Sequence, residues 1–279
     1  MRIEEKIRAI EEEMARTQYH KGTEHHFGTL KAKLAKLKKE QGRSARKKGK
    51  KFSVRKSGDA TVVLIGPTST GKSSLFNSLT SGRARVGDHP FTTQEVTPGV
   101  MNFNGAQIQV LDMPSLEIAK KEVLSVAGIA DLVVLVFDVF QKDFEIIKEL
   151  DAVNQKQLVV VNKIDAVDNE WLKFIKEKIG NCLFISVDKS IGIENLKEGI
   201  YKKLKLIRIY MKPKRGKVDY SKPLIVREGD GVGDVWKKLR LHGKMEYAVV
   251  WGKSAKFDGQ KVGEEHMLSD GDIITIVIR

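Results

Sequence analysis

Between residues 60 and 204, short uninterrupted apolar runs alternate with stretches patterned for helices. The runs are Thr61-Val62-Val63-Leu64-Ile65, Ile108-Gln109-Val110-Leu111, Leu132-Val133-Val134-Leu135-Val136-Phe137, Leu158-Val159-Val160-Val161 and Leu183-Phe184-Ile185. Strands apolar on both sides are covered on both faces, and strands separated by helices run mainly parallel. The pattern predicts an α/β domain with a mainly parallel sheet. Residues 1–42 read differently. Ile3, Ile7, Ile10 and Met14, then Leu30, Leu34 and Leu37, make two helical stripes separated by Gly22-Thr23, which predicts an α-helical hairpin. From 205 to 279 the style changes again. Ile207-Arg208-Ile209-Tyr210 alternates like a strand, with Leu224-Ile225-Val226 as its partner. Val232, Val235, Trp236 and Leu239 give a short helix, and Tyr247–Trp251 and Ile273–Ile278 give two more strands. That order predicts a small β-grasp module, ubiquitin-like in layout.

Charge adds a linker and a class of partner. Residues 43–59 form a basic linker, in which Arg43, Arg46, Lys47, Lys48, Lys50, Lys51, Arg55 and Lys56 are interrupted by no acid. A second acid-free run holds Lys202, Lys203, Lys205, Arg208, Lys212, Lys214, Arg215 and Lys217. The chain carries a formal charge of +14, concentrated in runs that flank the central domain, which favours a polyanion such as RNA. Its one cysteine, Cys182, excludes an internal disulfide. Charged residues interrupt every apolar run before it could span a bilayer, and the start of the sequence lacks a signal-peptide core. The expectation is a cytoplasmic protein without a membrane span. His20, His25 and His26 lack companions at ligand spacing, so no metal site is predicted there.

The chemistry lies in the central domain. Gly66-Pro67-Thr68-Ser69-Thr70-Gly71-Lys72-Ser73 follows an apolar run and precedes Ser74-Leu75-Phe76-Asn77-Ser78-Leu79, which can continue as a helix. A loop of this composition turns backbone N–H groups onto phosphates at a helix N-terminus. Lys72 is then expected to reach the β- and γ-phosphates and Ser73 to ligate Mg²⁺. Asn162-Lys163-Ile164-Asp165 follows the run 158–161. A carboxylate there accepts from guanine N1–H and the 2-amino group, neither of which adenine offers, so GTP and GDP are the expected ligands and an ATP-using enzyme is disfavoured. Lys163 is expected along the base, Asn162 as a brace, and Ser186-Val187-Asp188 as the loop facing guanine O6. Asp112, ending a run in Asp112-Met113-Pro114-Ser115, is the candidate for holding Mg²⁺ through water. Thr92-Thr93, in a loop before Pro98-Gly99, is expected to complete the metal shell when a γ-phosphate is present and to release on hydrolysis.

In combination these motifs resemble the Obg-like translation GTPases, and most closely the developmentally regulated GTP-binding (DRG) proteins. Phe91-Thr92-Thr93 with Pro98-Gly99 is similar to their first switch, and that resemblance assigns the Mg²⁺ contact to Thr93. Lys21–His26 with Leu30–Leu37 is similar to their helical hairpin. Val250-Trp251-Gly252-Lys253-Ser254, Gly259-Gln260-Lys261-Val262-Gly263 and Asp270-Gly271-Asp272 are similar to their TGS domain. The resemblance implies a ribosome-associated GTPase with Mg²⁺, slow intrinsic turnover and a small regulatory protein partner. The chain departs from the family at three places. Ser115 stands where the family has glycine, the second switch is shorter, and only Gln141 to Gln157 separates two strands where the family has a small inserted domain. Leu116 shares the family's hydrophobic residue at the position where Ras-like enzymes place a water-orienting glutamine. Ser69 stands where K⁺-assisted relatives carry asparagine, which leaves K⁺ open. Two functions follow: a GTP-hydrolysing switch on the ribosome or RNA, and a GTP-binding adapter with little hydrolysis.

Overall fold

The computed structural model describes residues 56–80, 96–141, 144–147, 156–240, 242–243 and 245–278. The expected helical hairpin, nearly all of the basic linker and the Thr92-Thr93 pair lie outside the described residues.

Six strands form the first sheet: β1 (Ala60–Ile65), β2 (Thr97–Phe103), β3 (Ala106–Asp112), β4 (Leu132–Asp138), β5 (Gln157–Asn162) and β6 (Cys182–Phe184), in the order β2-β3-β1-β4-β5-β6. All neighbours are parallel except β2 and β3. β1 and β4 are central, and their uniform burial matches their uninterrupted apolar sequences. β2 was not read as a strand from the sequence, where only a loop before Pro98-Gly99 was expected. Both residues instead lie within the strand, which occupies an edge of the sheet. An edge strand tolerates proline because one row of its N–H groups has no ladder partner to serve. Gly99 is also needed for space, because a Cβ there would lie 2.5 Å from Phe76 Cζ.

Among the described residues, four complete helices cover the sheet: α1 (Lys72–Leu79), α2 (Leu116–Ile129), α3 (Asn169–Ile179) and α4 (Ile193–Leu204). In α4, Ile193, Leu196, Ile200 and Leu204 are buried at helical spacing and join Leu75, Phe76 and Leu79 of α1 in one core. Ile175 of α3 packs with Val139 and Val161 in a smaller cluster. Asp168 caps α3 by accepting from Trp171 N–H at 2.9 Å.

Leu204 ends α4, Lys205 takes a left-handed conformation (φ 54°), and β7 (Leu206–Met211) begins at once. The second sheet adds β8 (Leu224–Arg227), β9 (Met245–Trp251), β10 (Gln260–Val262) and β11 (Ile273–Ile278), in the order β10-β9-β11-β7-β8. Helix α5 (Val232–Leu239) packs on one face, with Val232 and Val235 against Ile209, Val250 and Ile274. The short strand β10 is additional to the four strands read from the sequence, since three residues are too few to show an alternation. Asp272 is fully buried, and its carboxylate accepts from Ser269 N–H at 2.8 Å and Ser254 N–H at 3.3 Å. Gly252, at φ 131°, leaves room for that carboxylate, which a side chain would occupy.

The two sheets share a core. Leu206 and Ile225 belong to the cluster of the first sheet. Arg227 meets Asp131 at 2.7 Å and Lys238 meets Asp59 at 2.9 Å. The second basic run is therefore not a single charged surface. Lys202 pairs with Glu198 one helical turn back, and Lys205 pairs with Glu228 and Arg208 with Asp270 from farther along the chain, so these acids neutralise part of it.

Candidate functional site

The loop leaving β1 passes so close to Val136 that no side chain fits at Gly66. Ser69 (φ 62°) and Gly71 (φ 86°) both take left-handed conformations, and Gly71 is the N-cap of α1. Glycine adopts that geometry without the penalty other residues carry. Thr70 Oγ1 donates to Pro67 O at 3.1 Å, which holds the loop closed. The amides at the start of α1 have no intrahelical acceptors and point into the loop, an arrangement suited to anions. Lys72 crosses beneath them and donates from Nζ to Pro67 O at 2.5 Å. Burial lowers its pKa to about 8, against the upward pull of Asp112 and Glu117.

At the far side of this loop, Ser73 Oγ donates to Asp112 Oδ2 at 2.6 Å. Asp112 is fully buried at the end of β3. A hydroxyl and a carboxylate side by side are hard oxygen donors of the kind Mg²⁺ takes, so the residues fit that ion. Beyond Asp112, Ser115 is the N-cap of α2, is 5% exposed, and its hydroxyl has no hydrogen-bond partner among the described residues. Leu116 opens α2, and the helix is kinked at Ala119 (φ −144°, ψ 46°).

The parallel order of β1, β4 and β5 carries the other half of the site to the same sheet edge. Asn162, 3% exposed, donates from Nδ2 to Thr70 O at 3.0 Å and accepts at Oδ1 from Val187 N–H at 3.2 Å. It thus ties the loop after β1 to the loop after β6. The Val187 amide, expected to face guanine O6, is shared with this brace. Lys163 (φ 65°) reaches back to donate to Ser69 O at 2.7 Å and to Asp138 Oδ2 at 3.1 Å. Asp165 is exposed, and the Ser186 side chain holds its carboxyl below the usual range. Ser186 itself is fully buried.

Two residues of the site were missed in the sequence. Asp138 ends β4 and orients Lys163; its signal was an acid terminating an apolar run, as at Asp112. Glu117 accepts from Thr68 N–H at 3.3 Å. No sequence signal indicated it, because its contact depends on how α2 is set against the loop after β1. Thr68, Ser69, Thr70, Lys72, Ser73, Asp112, Asn162, Lys163, Asp165, Ser186 and Val187 fall into one contiguous set of loops. Ser74 lies one residue farther along α1. No group of three or more histidine, cysteine or acidic side chains suited to a metal occurs among the described residues, and no helix among them is long and apolar enough to cross a membrane.

The fold and the site define a P-loop GTP-binding protein with an appended TGS domain. The family model described as 50S ribosome-binding GTPase matches residues 61–163, and that of the TGS domain matches residues 207–278. An uncharacterized GTP-binding protein of Methanocaldococcus jannaschii is 37% identical over an alignment of 366 positions, which covers 100% of this chain and 94% of that protein. Developmentally-regulated GTP-binding protein 2 of Mus musculus is 32% identical, covering 99% of this chain and 100% of that protein. The chain belongs to the developmentally regulated GTP-binding (DRG) family of GTP-binding proteins. Since 366 aligned positions contain only the 279 residues of this chain, the rest are gaps opposite residues that the relative carries. Among solved structures, the G domain of the T. maritima FeoB iron transporter is 29% identical, covering 52% of this chain and 98% of that one, with a TM-score of 0.42.

Proposed function

We propose that the chain hydrolyses GTP to GDP and phosphate and acts as a slow switch on the ribosome or its RNA in the cytoplasm. The observation that carries this reading is the Ser73–Asp112 pair, 2.6 Å apart at the foot of the loop that holds Lys72. The backbone N–H groups between Thr68 and Ser74 surround the phosphates, with Gly66 and Pro67 shaping the start of the loop, and Lys72 exchanges Pro67 O for the β- and γ-phosphate oxygens. Ser73, Asp112 (through water) and Thr93 would hold Mg²⁺, which would neutralise charge developing on the phosphates. Asp165 accepts from guanine, the stem of Lys163 lies along the base, and Ser186 and Val187 close the pocket. Ser115 turns its backbone N–H toward the γ-phosphate, with less freedom to swing than a glycine has. Thr92 and Thr93 form the switch that releases on hydrolysis.

Leu116 cannot orient water, so turnover is slow, on the order of the 10⁻⁴ to 10⁻² s⁻¹ of unaided small GTPases. Leu116 also favours the second reading, a GTP-binding adapter that docks RNA or a regulatory protein through its basic linker and TGS domain. Single-turnover hydrolysis in KCl and in NaCl at equal ionic strength, with Lys72→Ala as the blank, separates the two. Turnover above the blank is expected, and enhancement in KCl would assign K⁺ a part despite Ser69. GTP binding without turnover in either salt would refute hydrolysis and leave the adapter.

A further inference from the structure

The TGS sheet has two faces, and α5 covers only one of them. Ile207, Ile209, Ala248, Val250, Val262 and Ile274 point toward α5. Strand alternation sends Tyr210, Tyr247, Trp251 and Lys261 to the other side. Near the start of β7 that side is closed by the first domain, where Leu206 and Ile225 enter its core. Farther along, no helix among the described residues covers it, and Tyr210, Tyr247, Trp251 and Ile273 are each half-buried. The register sets Trp251, Ile273 and Tyr210 in one row across β9, β11 and β7, and Tyr220, 61% exposed, lies against Tyr210 with ring centroids 5.0 Å apart. Lys212 Nζ sits 4.1 Å from the centre of the Trp251 ring, and Lys261 Nζ 4.7 Å from that of Tyr247.

Val249, Ile273 and Val277 lie between the rings on the same face, and the ammonium groups over Trp251 and Tyr247 give its margins a cationic character. The chain beside it strengthens the cationic character. Residues 212–222 hold Lys212, Lys214, Arg215, Lys217 and Lys222 against Asp219 alone, and Ser221 engages that acid. The nearby Asp270 is neutralised by Arg208 and Asp272 is buried against backbone amides. Glu246, the exposed acid of β9, stands where the pairing with β11 shifts register, at the strand's start. Tyr247 and Trp251 are four residues apart on one strand, about 13 Å, which separates the bases they would meet. Flat rings at such spacing, each with a cation that can turn from the ring to a phosphate, suit unstacked nucleotides and not a duplex.

We propose that the face of the TGS sheet away from α5 binds single-stranded RNA, with bases stacking on Trp251, Tyr247 and the Tyr210–Tyr220 pair and with Lys212 and Lys261 meeting phosphates. This deepens the RNA part of the function proposed above and does not depend on hydrolysis. The test is fluorescence anisotropy of the full chain with a labelled 12-nucleotide oligouridylate and with a 12-base-pair RNA duplex, over a salt series. The single strand is expected to bind more tightly. Trp251→Ala and Tyr247→Ala should each weaken it on the order of 5- to 150-fold, with Trp251→Phe recovering most of the loss. Lys212→Gln with Lys261→Gln should flatten the log–log salt slope by about 1.4, from roughly 0.7 per phosphate contact on a single strand. Unchanged GTP affinity and melting temperature show that each variant is folded. Binding insensitive to these variants but lost on neutralising Lys47, Lys48, Lys50 and Lys51 would move the RNA to the linker; it would overturn the face and leave the ribosome or RNA reading standing. Equal competition by polyglutamate would overturn it in favour of an acidic protein. Absence of binding to either RNA would overturn it too, and cosedimentation with ribosomes would then decide the functional reading separately.

Discussion

Replacing Asn162 by alanine removes both ends of the brace between the loop after β1 and the loop after β6. The Nδ2 bond to Thr70 O is 3.0 Å long and the Oδ1 bond from Val187 N–H is 3.2 Å. Thr70 is 1% exposed, so its carbonyl has little access to water once Nδ2 is gone. A buried group left without its partner costs about 1–3 kcal/mol. Val187 is half-buried and its amide can find water, which puts its loss at the low end of that range. The two together come to about 2–4 kcal/mol. For a domain of this size each kcal/mol moves the melting temperature by about 2–4 °C, so Asn162→Ala should melt about 4–16 °C lower. Differential scanning fluorimetry with and without GDP measures the shift, and stopped-flow release of a fluorescent GDP analogue should show faster dissociation. Asn162→Asp is the control: it keeps an acceptor for Val187 but sets a carboxylate against the Thr70 carbonyl, and should be no more stable than the alanine variant. A shift under 1 °C for alanine with unchanged release, or a carboxylate variant as stable as the parent, would refute the brace.

Three further outcomes follow from the geometry. If Asp165 reads guanine as proposed, Asp165→Asn loses that acceptor, and hydrogen bonds to a charged group are worth about 1.5–3 kcal/mol; isothermal titration should show GTP affinity falling at least tenfold while XTP, which offers a carbonyl where guanine has its 2-amino group, gains. Glu117→Gln removes a carboxylate from the Thr68 amide, where the γ-phosphate would approach; competition binding should show the GTP-to-GDP affinity ratio rising about two- to fivefold. Burial pushes the Asp131 carboxyl up, but the Thr61 N–H, Arg227 and Lys56 outweigh it and hold the group below its ordinary 3.8. Its contribution to stability is therefore complete above pH 3.8 and is lost as pH falls through the folded value. The gap in urea midpoint between the parent and Asp131→Asn should close on that acid limb; a gap independent of pH would contradict it.

Much of the first domain could be read directly. The strands at 60–65, 132–138 and 157–162 were visible because both faces are buried and their central residues form nearly unbroken apolar runs. β2 was obscured because an edge strand alternates exposed and buried positions and carries Pro98 and Gly99, residues that signal turns. The loops holding Lys72, Asn162 and Asp165 were legible because each follows a recognisable strand and each motif is local. Asp138 and Glu117 were not, because their partners Lys163 and Thr68 are 25 and 49 positions away. The partial neutralisation of the second basic run was hidden for the same reason at Lys205 and Arg208, whose partners Glu228 and Asp270 lie far along the chain, whereas Glu198 is one helical turn from Lys202.

The sequence by itself determined most of the segments that become strands and helices, and which loops have the composition expected for phosphate binding and guanine reading, because those depend on side-chain periodicity and on backbone freedom at positions such as Gly71. The tertiary structure decided which of these loops meet. Parallel pairing of β1 with β3 and β4, and of β4 with β5, brings Ser73 to Asp112 and Asn162 to Thr70. It also decided which face of the TGS sheet is covered by α5 and which carries Trp251 and Tyr247. Contacts of this kind are set by strand order and helix packing, which depend on the summed burial of the whole core and not on any one segment.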